Sequence, residues 1–88
     1  MTVEDIIAER GRTHGLFSDN GQIAQDTREL WRRAPNWHAL QAEQQLVLDE
    51  IALKVARLLS TGSDPNFVEH WDDIAGYAVK GSQACKKT

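Results

Sequence analysis

The sequence predicts an all-α protein, a compact bundle of about four helices. Apolar residues recur at helical spacing through most of the chain, short breaker segments punctuate them, and 88 residues leave room for one core only. Thr2 followed by Asp5 reads as a capping-box variant, and Val3, Ile6 and Ile7 supply the apolar side of a short first helix that Gly11 should end. Gly11 to Gly21 is expected to be a loop, in which Thr13, His14, Gly15, Ser18, Asp19 and Asn20 offer many hydrogen-bonding groups.

A second helix should begin near Asp19 or Asn20 and run to about Arg33, because Ile23, Thr27, Leu30, Trp31 and Ala34 share a face. Ala34-Pro35 stops it, since a residue before proline is pushed out of the helical region. Asn36 to Leu40 is then a connector anchored by Trp37. The third helix, about Gln41 to Leu59, carries the stripe Val47, Ile51, Val55 and Leu58, widened by Leu48, Ala52 and Leu59.

Ser60 to Ser63 breaks that helix, and Asp64-Pro65 reads as an N-cap followed by proline in the first turn of a fourth. Phe67, Trp71, Ile74 and Ala78 give the fourth helix its apolar face, which should end before Gly81. Residues 1–81 thus form one domain and residues 82–88 a frayed tail. Short connections favour antiparallel neighbours, Trp31, Trp37 and Trp71 are expected as core or interface anchors, and a bundle with so thin a core is expected to self-associate as a homo-oligomer.

Composition narrows the setting. No apolar run approaches the roughly 20 residues that span a bilayer, and Met1 to Glu9 is acidic and amphipathic rather than basic then apolar. No membrane association is expected. Cys85 is the sole cysteine, which rules out an internal disulfide or a cysteine-based zinc site and fits a reducing, cytoplasmic compartment. Thirteen acidic against ten basic residues leave none of the electropositive footprint of a nucleic-acid-binding domain.

Two polar stripes stand beside the apolar ones. Glu50, Lys54 and Arg57 share a face of the third helix, and His70, Asp73 and Tyr77 share a face of the fourth. If those faces meet, Lys54 or Arg57 reaches Asp73. Such a meeting makes either an ion pair with a satisfied tyrosine, or a small pocket in which lysine and arginine engage phosphate and tyrosine stacks. Thr13 and His14, in their glycine-flanked loop, either stabilise a turn or contact the same ligand. Glu69, Asp72 and Asp73 crowd one turn in a way that suits magnesium, but Lys54 stands where a carboxylate partner to Glu50 would be needed. His14 and His38 have no cysteine or histidine at ligand spacing, and no phosphate-loop glycine motif is present.

The segments Glu9-Arg10-Gly11-Arg12-Thr13-His14-Gly15-Leu16-Phe17, Leu48 to Leu59, and His70-Trp71-Asp72-Asp73-Ile74-Ala75-Gly76-Tyr77-Ala78 together resemble a family of small proteins encoded by bacteriophages and prophages. The resemblance covers about Ala8 to Ala78, and the run from Trp71 to Ala78 is its most specific part. That family is in turn similar to the MazG-like all-alpha nucleoside triphosphate pyrophosphohydrolases, in which paired glutamates on one helix and Glu-x-x-Asp on the next hold magnesium. Glu69 and Asp72 match the second motif literally. Aligning Asp73-Ile74-Ala75 with the family's Asp-Leu-Leu instead places Asp73 at the aspartate position and His70 where the glutamate stands.

The resemblance implies a host-cytoplasmic protein that handles nucleotides. The expectation is binding of a nucleotide or other small anionic ligand through Thr13, His14, Lys54, Arg57, His70, Asp73 and Tyr77, without turnover and without a cofactor. One alternative is a magnesium-dependent nucleotide pyrophosphohydrolase using Glu50, Glu69, Asp72 and Asp73. Another is an interaction protein that inhibits a host protein through an exposed tryptophan or leucine surface.

Overall fold

The computed structural model describes residues 1–86, and among them are four α-helices, one 3-10 turn and no strand. The helices are α1 (Val3–His14), α2 (Phe17–Arg32), α3 (Ala42–Leu59) and α4 (Val68–Cys85), with the 3-10 turn at Trp37–Ala39. The all-α bundle expected from the periodicity is the fold observed. None of its helices is long and apolar enough to cross a membrane.

The capping box of α1 forms as its residues suggest: the Asp5 amide donates to Thr2 Oγ1 at 3.1 Å and the Thr2 amide to Asp5 Oδ2 at 3.0 Å. Gly11 does not end the helix. Its carbonyl accepts the Gly15 amide at 3.0 Å, and it is Gly15, at φ 75°, that turns the chain out. The expected loop from Gly11 to Gly21 therefore shrinks to Gly15 and Leu16, and α2 starts at Phe17. Asp19 and Asn20, expected to start that helix, instead reach from its first turn to the end of α3, where Asp19 Oδ2 accepts the Thr61 amide and Asn20 meets Ser60.

Helix α3 lies between α2 and α4, running antiparallel to both. Asn20 against Ser60 and Arg28 against Asp49 set one register, while Lys54 against Asp73 and Gln44 against Cys85 set the other. The buried apolar residues are mostly small: Ala24, Ala52, Ala56 and Ala84, with Val47 and Trp37. Small side chains let the helix backbones approach, so α3 packs tightly on both sides with little apolar bulk. Trp37 is the anchor expected of it, holding Gln45 Nε2 on its carbonyl at 3.1 Å and lying under the Arg32 guanidinium. Across α2 and α3, Asp49 sits between Arg28 and Arg32, with Arg32 donating to its carboxylate at 2.9 Å.

Helix α4 departs from expectation at both ends and in its orientation. Asp64-Pro65 does not start it; the Asp64 side chain accepts the Asn66 amide and its carbonyl accepts that of Phe67, closing a turn before Val68. Nor does the helix stop before Gly81. It continues to Cys85 with Ala84 only 1% exposed, so the expected tail is helical from Ser82 to Cys85, while Lys87 and Thr88 lie outside the described residues. The face turned to the bundle runs through Phe67, His70, Ile74, Tyr77, Gly81 and Ala84, keeping Phe67 and Ile74 of the expected stripe but with His70 and Tyr77 in place of Trp71 and Ala78. Trp71 and Ala78 are exposed, and the Trp71 indole donates to the Pro65 carbonyl at 3.0 Å.

A candidate anion site where α1 meets α4

A set of hydrogen bonds fastens the α1–α2 corner to the α3–α4 connection. The Leu16 amide donates to the Thr61 carbonyl and the Thr61 amide to Asp19 Oδ2, both at 3.0 Å. Ser63 Oγ donates to the Thr13 carbonyl at 3.2 Å. Gly15 is what allows so close a contact: a Cβ there would lie 2.6 Å from Ser60 Cβ. The corner thereby brings Thr13 and His14, at the end of α1, onto Phe67 and His70 at the start of α4.

His70 is the base of the site. It is 1% exposed, and its Nε2 lies 2.7 Å from the Thr13 carbonyl oxygen. A carbonyl has no proton to give, so Nε2 carries the hydrogen and donates it. The edge of one imidazole meets the face of the other: the His14 and His70 centroids are 4.7 Å apart at 82°, and Phe67 closes the group at 5.0 Å from His70 and 6.0 Å from His14.

His14 forms the half-buried wall of the corner. Burial, above all, holds its pKa below the ordinary histidine value, and the neighbouring Arg57, His70, Arg10 and Lys54 add to that effect in that order. Thr13 Oγ1 lies 2.6 Å from His14 Nδ1 and also donates to the Arg10 carbonyl at 3.2 Å. With the hydroxyl proton on Arg10, the short contact needs a proton from Nδ1, which leaves the Nε2 lone pair free to accept one.

Lys54 Nζ lies 3.4 Å from Asp73 Oδ2, so Lys54 pairs across the helices rather than along its own helix with Glu50. The lysine side chain is 13% exposed and the aspartate 49%. Among the described residues Arg10 and Arg57 have no carboxylate partner. Tyr77 stands apart, one turn beyond Asp73. It lines a shallow hollow of about 210 Å³ with Asp72, Asp73, Gly76 and Lys80, and the Lys80 ammonium sits 5.0 Å over its ring.

Of the residues expected at a ligand site, Thr13, His14 and His70 meet at the corner, Lys54 and Arg57 stand within electrostatic range of His14, Asp73 joins through Lys54, and Tyr77 faces the neighbouring hollow. Glu50, Glu69, Asp72 and Asp73 do not gather: among the described residues no three histidine, cysteine, aspartate or glutamate side chains are placed to hold a metal ion. Of these carboxylates, Asp73 is turned to Lys54. Two members of the site were not singled out from sequence. Arg10 lies one turn before His14, a relation visible only once α1 is known to pass through Gly11, and Phe67 lies three residues before His70 on the inward face of α4.

The fold and this corner define an all-α bundle domain whose first and last helices meet at a pair of histidines, with arginine and lysine side chains nearby. Compared with protein-family models, with curated proteins and with solved structures, the chain finds no match.

Proposed function

We propose that the chain binds a nucleotide or another small phosphorylated anion at the α1–α4 corner, without turning it over. One observation carries this reading: His14, half-buried and with a lowered pKa, stands within electrostatic reach of Arg10, Lys54 and Arg57, and among the described residues only Lys54 has a carboxylate partner. A corner built to satisfy itself would pair those charges. Three cations near one such imidazole favour an anion instead.

The parts divide the work. Arg57 and Arg10 attract the phosphate, and the Lys54 ammonium shifts from the half-exposed Asp73 toward it. The approaching negative charge favours a proton on His14 Nε2, which then donates to a phosphate oxygen. His70 acts through position, holding the Thr13 carbonyl and giving His14 a ring to lean on. Binding rather than hydrolysis is the reading taken because Asp73 faces the Lys54 ammonium across the helices, where a second carboxylate would be needed.

The test is a thermal-shift panel of nucleoside mono-, di- and triphosphates with and without magnesium, run beside an assay for released pyrophosphate. Stabilisation by a nucleotide without turnover is expected, since a ligand selective for the folded state raises its apparent stability. That shift should vanish in Arg57→Ala. Pyrophosphate release would replace the proposal with the hydrolase, and no response to any nucleotide or to inorganic phosphate would remove it.

A further inference from the structure

The N-terminal helix is a segment that this chain alone does not cover. No residue of α1 is buried, and residues 1 to 10 are all exposed, including Val3, Ile6 and Ile7. Its contacts with α2 and α3 are sparse, and its anchorage lies at the corner, in its last turn. Isolated helices shorter than about 12–15 residues are marginal in water. Twelve residues with an apolar stripe facing solvent need a covering surface.

The area that is missing has a definite size. A folded monomer of 9.9 kDa is expected to expose about 5,200 Å². This chain exposes 6178 Å², an excess of about 1,000 Å² over that scaling. A stable interface of standard size buries about 800 Å² on each partner. The whole-chain excess is thus of the size that one side of a dimer removes, and the stripe of α1 is the longest exposed apolar run on a single helix with so few neighbours.

We propose that α1 is the interface of a symmetric homodimer in which the α1 helices of two copies cross antiparallel. The stripe Val3, Ile6, Ile7 and Arg10 is symmetric about the Ile6–Ile7 bond. An antiparallel crossing there sets Ile6 of one copy against Ile7 of the other, and Val3 against the aliphatic stem of Arg10. Charge selects the same direction. The helix carries Glu4 and Asp5 at its start and Arg10 and Arg12 toward its end, with Glu9 beside them. Antiparallel copies bring Arg10 and Arg12 of each toward Glu4 and Asp5 of the other, which offsets the approach of Glu9 to Glu4, and oppose the helix dipoles, whereas parallel copies stack Glu4, Asp5 and Glu9 on their own counterparts.

The test is the solution mass of the full chain without ligand, by sedimentation velocity and light scattering from low to high micromolar, so its outcome is independent of the anion site. A mass of twice the chain is expected, falling to that of one chain in Ile6→Asp/Ile7→Asp. A monomer throughout the range, or a dimer that survives this double substitution, would overturn the proposal. Because the double variant can also lose helix, a second pair keeps direction testable: Glu4→Lys and Arg10→Glu/Arg12→Glu should each dimerise poorly alone and form a mixed dimer together. Failure of the mixture to associate would overturn the antiparallel arrangement.

Discussion

The His70 ring donates its Nε2 hydrogen to the Thr13 carbonyl at 2.7 Å, tying the one buried residue of the first turn of α4 to the last turn of α1. Replacing His70 with phenylalanine keeps the ring and removes the bond, leaving the Thr13 carbonyl to Ser63 alone. A loss of roughly 1–3 kcal/mol in urea unfolding is expected, with alanine costing more because it adds a cavity. Equal stability of the phenylalanine variant and the parent would show that the bond contributes nothing net.

Acidification should destabilise the free protein through His14. Its pKa is lowered in the folded state, so below the ordinary value of about 6.5 the unfolded chain takes up the proton first. The stability that the neutral form contributes is present above about pH 6.5 and is lost as pH falls through the folded value. An NMR titration of the His14 Cε1 proton should give a midpoint below 6.5, and His14→Gln should flatten the pH dependence of unfolding in that window. A midpoint at or above the ordinary value would contradict the environment described.

Ligand binding should act on the same proton in the opposite sense. A phosphate at the corner raises the His14 pKa, so binding of a nucleotide that stabilises the chain should be accompanied by proton uptake near pH 6. Calorimetry in two buffers of different ionisation enthalpy measures that uptake directly. Identical binding enthalpies in the two buffers would place the anion away from His14.

The two ends of the Lys54–Asp73 pair should respond differently. Lys54→Met should cost under about 1 kcal/mol, because the half-exposed Asp73 is hydrated once released. It should also weaken phosphate binding. Asp73→Asn frees the ammonium and should tighten binding, a result that a purely structural ion pair does not predict.

Gly15→Ala and Gly62→Ala separate strain from collision. Both glycines have positive φ, 75° and 79°, so alanine carries a backbone penalty of about 1–2 kcal/mol at either. At Gly62 a Cβ meets nothing within 4 Å, whereas at Gly15 it runs into Ser60. The Gly15 variant should therefore lose clearly more stability in denaturant titration, along with the phosphate-dependent thermal shift. Equal losses would mean that the corner yields without cost.

Periodicity makes α3 and the end of α2 legible because both faces of α3 are packed and a proline marks where α2 must stop. It misplaces the inward face of α4 for a physical reason. Hydropathy favours Trp71 over His70, but a histidine with a carbonyl to bond can be buried, while the small Gly81 and Ala84 let α4 come close to Val47 of α3. Gly11 misleads similarly: glycine is a poor helix former, yet one held by the turns on either side stays helical. The pairing of Lys54 with Asp73 follows from the two polar stripes once the connection between α3 and α4 is short. The meeting of His14 with His70 does not, because it depends on a corner whose contacts are distant in sequence and carry no local pattern.

That corner also has a temporal meaning. The neighbours α3 and α4 are joined by a short connection and meet early, whereas Asn20 must find Ser60 across 40 positions and Thr13 must find His70 across 57. Closing the longer loops costs more chain entropy before any contact rewards it. The corner is then expected to be the last part of the domain to assemble and the first to open. Amide exchange at Leu16, protected by Thr61, should proceed through an opening of lower free energy than exchange in the middle of α3. A bound anion, bridging side chains from α1 and α3, would slow the Leu16 amide while leaving the slowest α3 amides governed by whole-domain unfolding.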